Sequence, residues 1–174
     1  MAGLDVNLDF TYFENGIDRI ARQLPGMPQD QVVLNRLFFY VFKELDDVYN
    51  QHLSTFGLNS STFLALAMIL SSEDNRLNPC HLSDALIASR TNVTRLADEL
   101  VGAGWVDRTP STADRRRVEL SLTPSGRQLI LKTLPVIWKR IEQQWTGFSP
   151  AEVAEFDRLL RKMLAGLGRF RAAS

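Results

Sequence analysis

The stretch "LNPCHLSDALIASRTNVTRLADELVGAGWVDR", residues 77–108, sets two helix starts close together, and few folds tolerate that. Asn78 can cap a first helix with Pro79 in its first turn, and Leu82, Ala85 and Leu86 form the core-facing stripe. Ser89 can then cap a second helix, in which Val93, Leu96, Ala97 and Leu100 recur at i, i+3, i+4 and i+7. Two helices joined by so short a turn form a helix-turn-helix. Gly102 and Gly104 end the second helix. "WVDRT" and "VELSL" then alternate apolar and polar residues around "PSTADRRR", which predicts a hairpin with a charged tip. The expected fold is mainly α with a small β-hairpin wing: a winged helix-turn-helix.

The rest of the chain reads as helical flanks. Residues 1–28 form an N-terminal extension in which "LDFTYFENGIDRIARQL" can make a short helix before Pro25, Gly26 and Pro28 break it. Residues 29–58 hold a first long helix striped by Leu34, Leu37, Val41, Leu45 and Val48, with a stop at Gly57. The winged helix-turn-helix domain spans 59–123 and opens with a nearly all-apolar helix from Ser60 to Ser71. In 124–174, Thr123 caps one helix that Pro135 should kink, and "SPAE" supplies a capping box for another through Ser149 and Glu152. Val153, Phe156, Leu160, Met163 and Leu167 then repeat at three and four spacing, a dimerisation seam. A single winged-helix core cannot cover both this seam and the first long helix, so a homodimer built on N- and C-terminal helices is expected.

Composition excludes several classes. A chain of 174 residues that is 45% hydrophobic can bury a core without staples. Its formal net charge of zero argues against indiscriminate coating of nucleic acid and leaves room only for a local basic patch. The start "MAGLDVNLDF" has no basic n-region or apolar h-region, and Cys80 is the only cysteine, so a cytoplasmic protein is expected. "FLALAMIL" is far shorter than the ~20 residues that cross a bilayer, so no membrane partner is expected. His52 and His81 lack ligand spacing, so no metal is expected; Cys80 reads as a small buried or half-buried side chain. Phe38, Phe39, Phe42 and Phe63 read as core. No Gly-rich phosphate loop or Gly-x-Ser-x-Gly elbow is present, so neither an enzyme nor a cofactor site is expected.

The polar end of the second helix carries the functional signal. Opposite its apolar stripe lie Thr91, Arg95 and Asp98, flanked by Asn92 and Thr94. A major groove accepts such a surface, with arginine for guanine edges, asparagine for adenine, threonine for phosphate or a thymine methyl, and the helix amino terminus for phosphate. Asp98 and Glu99 would meet phosphates badly, so only the first two turns should enter. An ordinary amphipathic helix with a solvated face has the same pattern. The wing separates the two readings: Arg115 and Arg116 at its tip can reach an adjacent minor groove, and Asp114 can hold one arginine extended through a bidentate pair. Double-stranded DNA is therefore the expected partner, and a winged-helix protein-interaction module is the alternative.

"LSDALIASRTNVTRLADELVGAGWVDR" followed by "DRRRVELSLTPSG" resembles the winged-helix region of MarR-type transcriptional regulators, and "SRTN" with "TRLADEL" is similar to the MprA/EmrR group of multidrug-efflux repressors. The resemblance implies a homodimeric repressor of a pseudo-palindrome, released when a small aromatic or phenolic effector binds between the dimer and DNA-binding regions. It places Ser89, Arg90, Thr91, Asn92, Thr94 and Arg95 at the start of the recognition helix, and Asp114 and Arg116 in the wing's Asp-x-Arg. The effector is then expected where the Gln29 helix, the Ser60 helix and the recognition unit meet. Phe39 and Phe63 are its candidate walls, and Arg36 its candidate anion partner. A structural ion pair is the competing reading of Arg36.

Overall fold

The computed structural model describes residues 9–86, 90–110 and 118–173. The order is α1 (Thr11–Gln23), α2 (Gln29–Leu53), α3 (Ser60–Ser71), β1 (Arg76–Leu77), α4 (Pro79–Ala85), α5 (Arg90–Gly102), β2 (Val106–Pro110), β3 (Val118–Leu122), α6 (Pro124–Gln144) and α7 (Pro150–Ala173). The chain forms two units, residues 1–131 and 132–174, with the division falling inside α6. The mainly helical winged helix-turn-helix expected from sequence is the fold observed. One strand escaped the sequence reading: β1 pairs with β3, so the hairpin becomes a three-stranded antiparallel sheet ordered β1-β3-β2. Two residues are too few for an alternating pattern to show.

In the first unit the core follows the predicted stripes of α3 and α5, whereas on α4 Ala85 is exposed and Leu86 half-buried. On α2 the predicted stripe residues Leu34, Val41 and Val48 are exposed because no neighbouring element among the described residues covers that face. Ala65, Leu66 and Ile69 of α3, Leu82 of α4, Val93, Leu96, Ala97 and Leu100 of α5, Val106 of β2 and Leu120 of β3 are all buried. α3 starts in a reciprocal capping box, with Asn59 Oδ1 accepting from the Thr62 amide at 2.9 Å and Thr62 Oγ1 accepting from the Asn59 amide at 2.8 Å. α2 runs to Leu53, tightens into a 3-10 turn at Ser54–Phe56 and stops at Gly57, whose φ of 73° is left-handed. Asn78 caps α4 through the Cys80 amide at 2.9 Å.

Two expectations are corrected. Cys80 is exposed, because the first turn of α4 points it outward and the buried stripe begins only at Leu82. Phe38, Phe39 and Phe42 are 43%, 56% and 64% exposed rather than core. The apolar face of α2 is broader than its neighbours in this chain cover; on another side, Tyr40 meets Phe13 and Phe10 of the α1 region, each ring pair 5.6 Å apart.

The end of α5 shares its backbone groups with the sheet and α6. Gly104, at φ 71°, lets the Trp105 amide reach back to the Leu100 carbonyl at 3.0 Å. Thr123 and Ser125 hydroxyls both donate to the Gly104 carbonyl, at 2.7 and 2.8 Å, and the Thr123 amide donates to the Trp105 carbonyl at 3.0 Å. Thr123 Oγ1 also accepts from the Gly126 amide at 3.0 Å, which caps α6 as the sequence predicts. At Gly126 the backbones touch: a Cβ there would lie 2.0 Å from the Trp105 carbonyl oxygen.

In the second unit α6 continues through Pro135. Trp145 meets Phe148 and Phe156 at centroid distances of 5.2 and 5.7 Å. The α7 capping box forms, with Glu152 Oε2 accepting from the Ser149 amide at 2.8 Å and Ser149 Oγ accepting from the Glu152 amide at 3.3 Å. Val153, Phe156, Met163 and Leu167 are exposed and Leu160 is half-buried. Gly126→Ala should destabilise the fold by about 1–3 kcal/mol, because a backbone cannot yield as a side chain does. Urea unfolding checks this; parental stability would mean that α6 and Trp105 can separate freely.

Candidate nucleic-acid interface

The division of α5 into two faces is complete where the expected site residues lie. Val93, Leu96, Ala97 and Leu100 are buried, whereas Thr91, Asn92, Thr94, Arg95, Asp98 and Glu99 are exposed. Burial of one stripe fixes the rotation of the helix, so the polar face must point outward. Arg95 has no ion-pair partner among the described residues, leaving its five donors available to a ligand. Ser89 and the wing residues Asp114, Arg115 and Arg116 lie outside the described residues, as does the side chain of Arg90.

One turn beyond Arg95, Asp98 is paired. Its Oδ1 lies 2.7 Å from Nη1 of Arg108 on β2, and Nη2 of the same guanidinium makes a long 3.5 Å contact with the Thr94 carbonyl. Arg108 thus spans one turn of α5. The pair is 38% and 59% exposed on its two sides, so it contributes only about 0.2–1 kcal/mol to stability. β2 is held in turn by β3, with Arg108 opposite Leu120, and β1 adds the Arg76–Glu119 pair at 3.7 Å.

A cleft of about 340 Å³ lies where α2, the start of α3 and α5 meet. Asp46, Asn50, Ser60, Asn92, Arg95 and Glu99 supply its polar lining, and Leu86 and Leu96 its apolar part. Asn50 joins two of the elements: its Oδ1 accepts from the Ser60 amide at 2.7 Å and its Nδ2 donates to Asp46 at 2.9 Å. Among the described residues the Ser60 hydroxyl is buried without a partner. The junction is the one expected for an effector, but Arg36, Phe39 and Phe63 do not line it. Arg36 instead stacks on Phe13, 4.1 Å above the ring centre, and has no ion pair among the described residues. Phe39 lies edge-on to Phe38 at 6.1 Å on the exposed face of α2, and Phe63 is half-buried in α3.

No group of three or more potential metal ligands occurs among the described residues, and no single helix there is long and apolar enough to cross a membrane.

Residues 56–117 match the model of the MarR family. The transcriptional repressor MprA of Escherichia coli K12 is 34% identical over 91% of this chain and 90% of its own length. The chain belongs to the MarR family. The transcriptional regulator PapX of Escherichia coli is 30% identical over 81% of this chain and 86% of its own length. Among solved structures, a mutant Escherichia coli MarR complexed with operator DNA superposes with a TM-score of 0.70 at 28% identity, covering 79% of this chain and 98% of that one. This MarR-family member is a DNA-binding transcriptional regulator and not an enzyme.

Beside α5, Arg108 is the residue that the sequence reading missed. In "WVDRT" it looks like a solvated strand arginine, and no spacing rule links a strand residue to a helix acid across a turn. An arginine following a helix whose exposed face ends in acids is the only available signal. For the cleft, Asn50→Ala should cost about 1–2 kcal/mol by leaving the Ser60 amide short of an acceptor. Thermal melting of the variant checks it; no change would show that solvent replaces Asn50 fully.

Proposed function

We propose that this MarR-family member is a homodimeric repressor that reads a pseudo-palindromic operator with α5 and leaves it when a small aromatic or phenolic compound binds. The observation that carries the reading is the exposed face of Thr91, Asn92, Thr94 and Arg95 set directly opposite a buried stripe. Arg95 suits guanine edges and Asn92 adenine, and Ser89, Arg90, Thr91 and Thr94 serve phosphates near the helix start. Arg115 and Arg116 enter the flanking minor groove, with Asp114 holding one of them extended.

The dimer supplies the second half-site. Exposed Leu34, Phe38, Phe39 and Phe42 on α2, with Val153, Phe156, Met163 and Leu167 on α7, form more apolar surface than a monomer ordinarily leaves in water. A two-fold dimer sets two copies of α5 roughly 34 Å apart, one turn of DNA.

The effector is placed at the junction of α2, α3 and α5. A phenolate or carboxylate oxygen suits Arg95, and its ring suits Leu86 and Leu96. Because Arg95 is in the cleft wall, an occupant engages a side chain that the operator also needs. Ligand and DNA therefore exclude one another by differential affinity.

Three measurements test the proposal. Arg95→Ala should lose about 1–3 kcal/mol of operator affinity and relax preference at one position in each half-site; an equal loss on every sequence would make Arg95 a phosphate contact. Leu160→Asp should give monomers in sedimentation and abolish binding, whereas a parent that sediments as a monomer at micromolar concentration overturns the dimer. Titrating salicylate-like weak acids against the free protein and the operator complex should show tighter binding to the free form. Equal affinity in both would remove such compounds as effectors.

A further inference from the structure

The base-reading helix and the wing reach DNA from separate elements, and their combined fit depends on a fixed distance between them. Hydrophobic packing sets that distance at one end, where Val106 at the start of β2 is buried in the same core as Leu96 and Leu100. Farther along β2, Asp107, Arg108 and Pro110 are exposed and Thr109 is half-buried. At this point β2 meets α5 through Arg108. Its guanidinium reaches the Asp98 carboxylate at 2.7 Å and the Thr94 carbonyl at 3.5 Å, two groups one helical turn apart. A planar fork held at two points on a helix restrains both position and orientation, which a single contact cannot do.

We propose that Arg108 is a positioning residue that ties the wing to the recognition helix through Asp98, so that the two enter adjacent grooves as one rigid unit. The proposal rests on the DNA-binding reading above. Its pair is too exposed to matter much for folding, so its consequence falls on recognition. β2 leads directly into the segment of the sequence that carries the wing arginines. The pair also answers why an acid is tolerated on the reading face: the Asp98 charge is turned toward β2 and matched by a guanidinium rather than presented to phosphate.

The sign of the Asp98 effect distinguishes this role from a simple phosphate contact. Removing a carboxylate near DNA ordinarily tightens binding, because a like charge is lost. If Asp98 is the anchor of the wing, Asp98→Ala should instead weaken operator binding, and Arg108→Ala should weaken it by about tenfold. The double variant should be no weaker than Arg108→Ala alone. Both single variants should lose most of the preference for A·T over G·C base pairs at the operator flanks, where the wing lands, while keeping the preferences read by Arg95. Arg108→Lys, which keeps the charge but not the fork, should recover little of that flank preference. Melting temperatures of all variants should stay within about 4 °C of the parent.

The experiment is a double-mutant cycle by fluorescence anisotropy on operators with A·T or G·C flanks, run beside amide hydrogen exchange on the DNA-free proteins. Tighter binding by Asp98→Ala, or additive effects in the double variant, would overturn the tether and make Arg108 a phosphate contact. In the exchange arm, β2 and β3 amides should exchange several-fold faster in Arg108→Ala, and unchanged protection would equally overturn it. A parent that binds no duplex would contradict the DNA-binding reading instead, and the exchange arm would still decide whether Arg108 restrains the sheet.

Discussion

The carbonyls of Gly104 and Trp105 are the point on which the arrangement of this protein turns. α5 ends there by wrapping its last amides back onto Val101 and Leu100, and the same two residues then accept from the hydroxyls of Thr123 and Ser125 and from the amide of Thr123. Helix, sheet and the start of α6 are thereby joined within a few bonds, and the absence of a side chain at Gly126 lets the backbones meet. Any displacement of α6 at this end must move α5 or break that network. The joint gives the fold a direct mechanical path from the helix that leads into the second unit to the helix that faces outward with its polar side.

From that anchor, α5 divides into two faces. Four apolar residues commit one face to the core, and the opposite face is left with hydroxyls, an amide and an arginine near the amino end, where helix partial charge attracts phosphate. Formal net charge is zero, so attraction to nucleic acid has to come from local geometry rather than from the field of the whole molecule. Asp98, one turn further along, is paired with Arg108 at 2.7 Å.

Much of the architecture was legible because it obeys periodic rules. The stripes of α3 and α5, the caps at Asn78, Thr123 and Ser149 and the stop at Gly57 are local patterns, and each element forms where those patterns place it. What escaped was non-local. β1 is too short to alternate, and the Asp98–Arg108 pair joins residues that no spacing rule relates. Cys80 and the phenylalanines of α2 were misjudged for a related reason: composition says that a residue is apolar but not which surface covers it. The cleft between α2, α3 and α5 is lined mostly by polar side chains that come from separate elements, which no periodic pattern in the sequence relates.

The central claim is that α5 reads base edges in two major grooves one turn apart. Hydroxyl-radical and methylation footprinting on the DNA upstream of the protein's own gene tests it most directly. The account predicts two symmetric patches of guanine N7 protection spaced by about 10 base pairs, on one face of the duplex. A single patch, or protection confined to the minor groove with guanine N7 left reactive throughout, would contradict it.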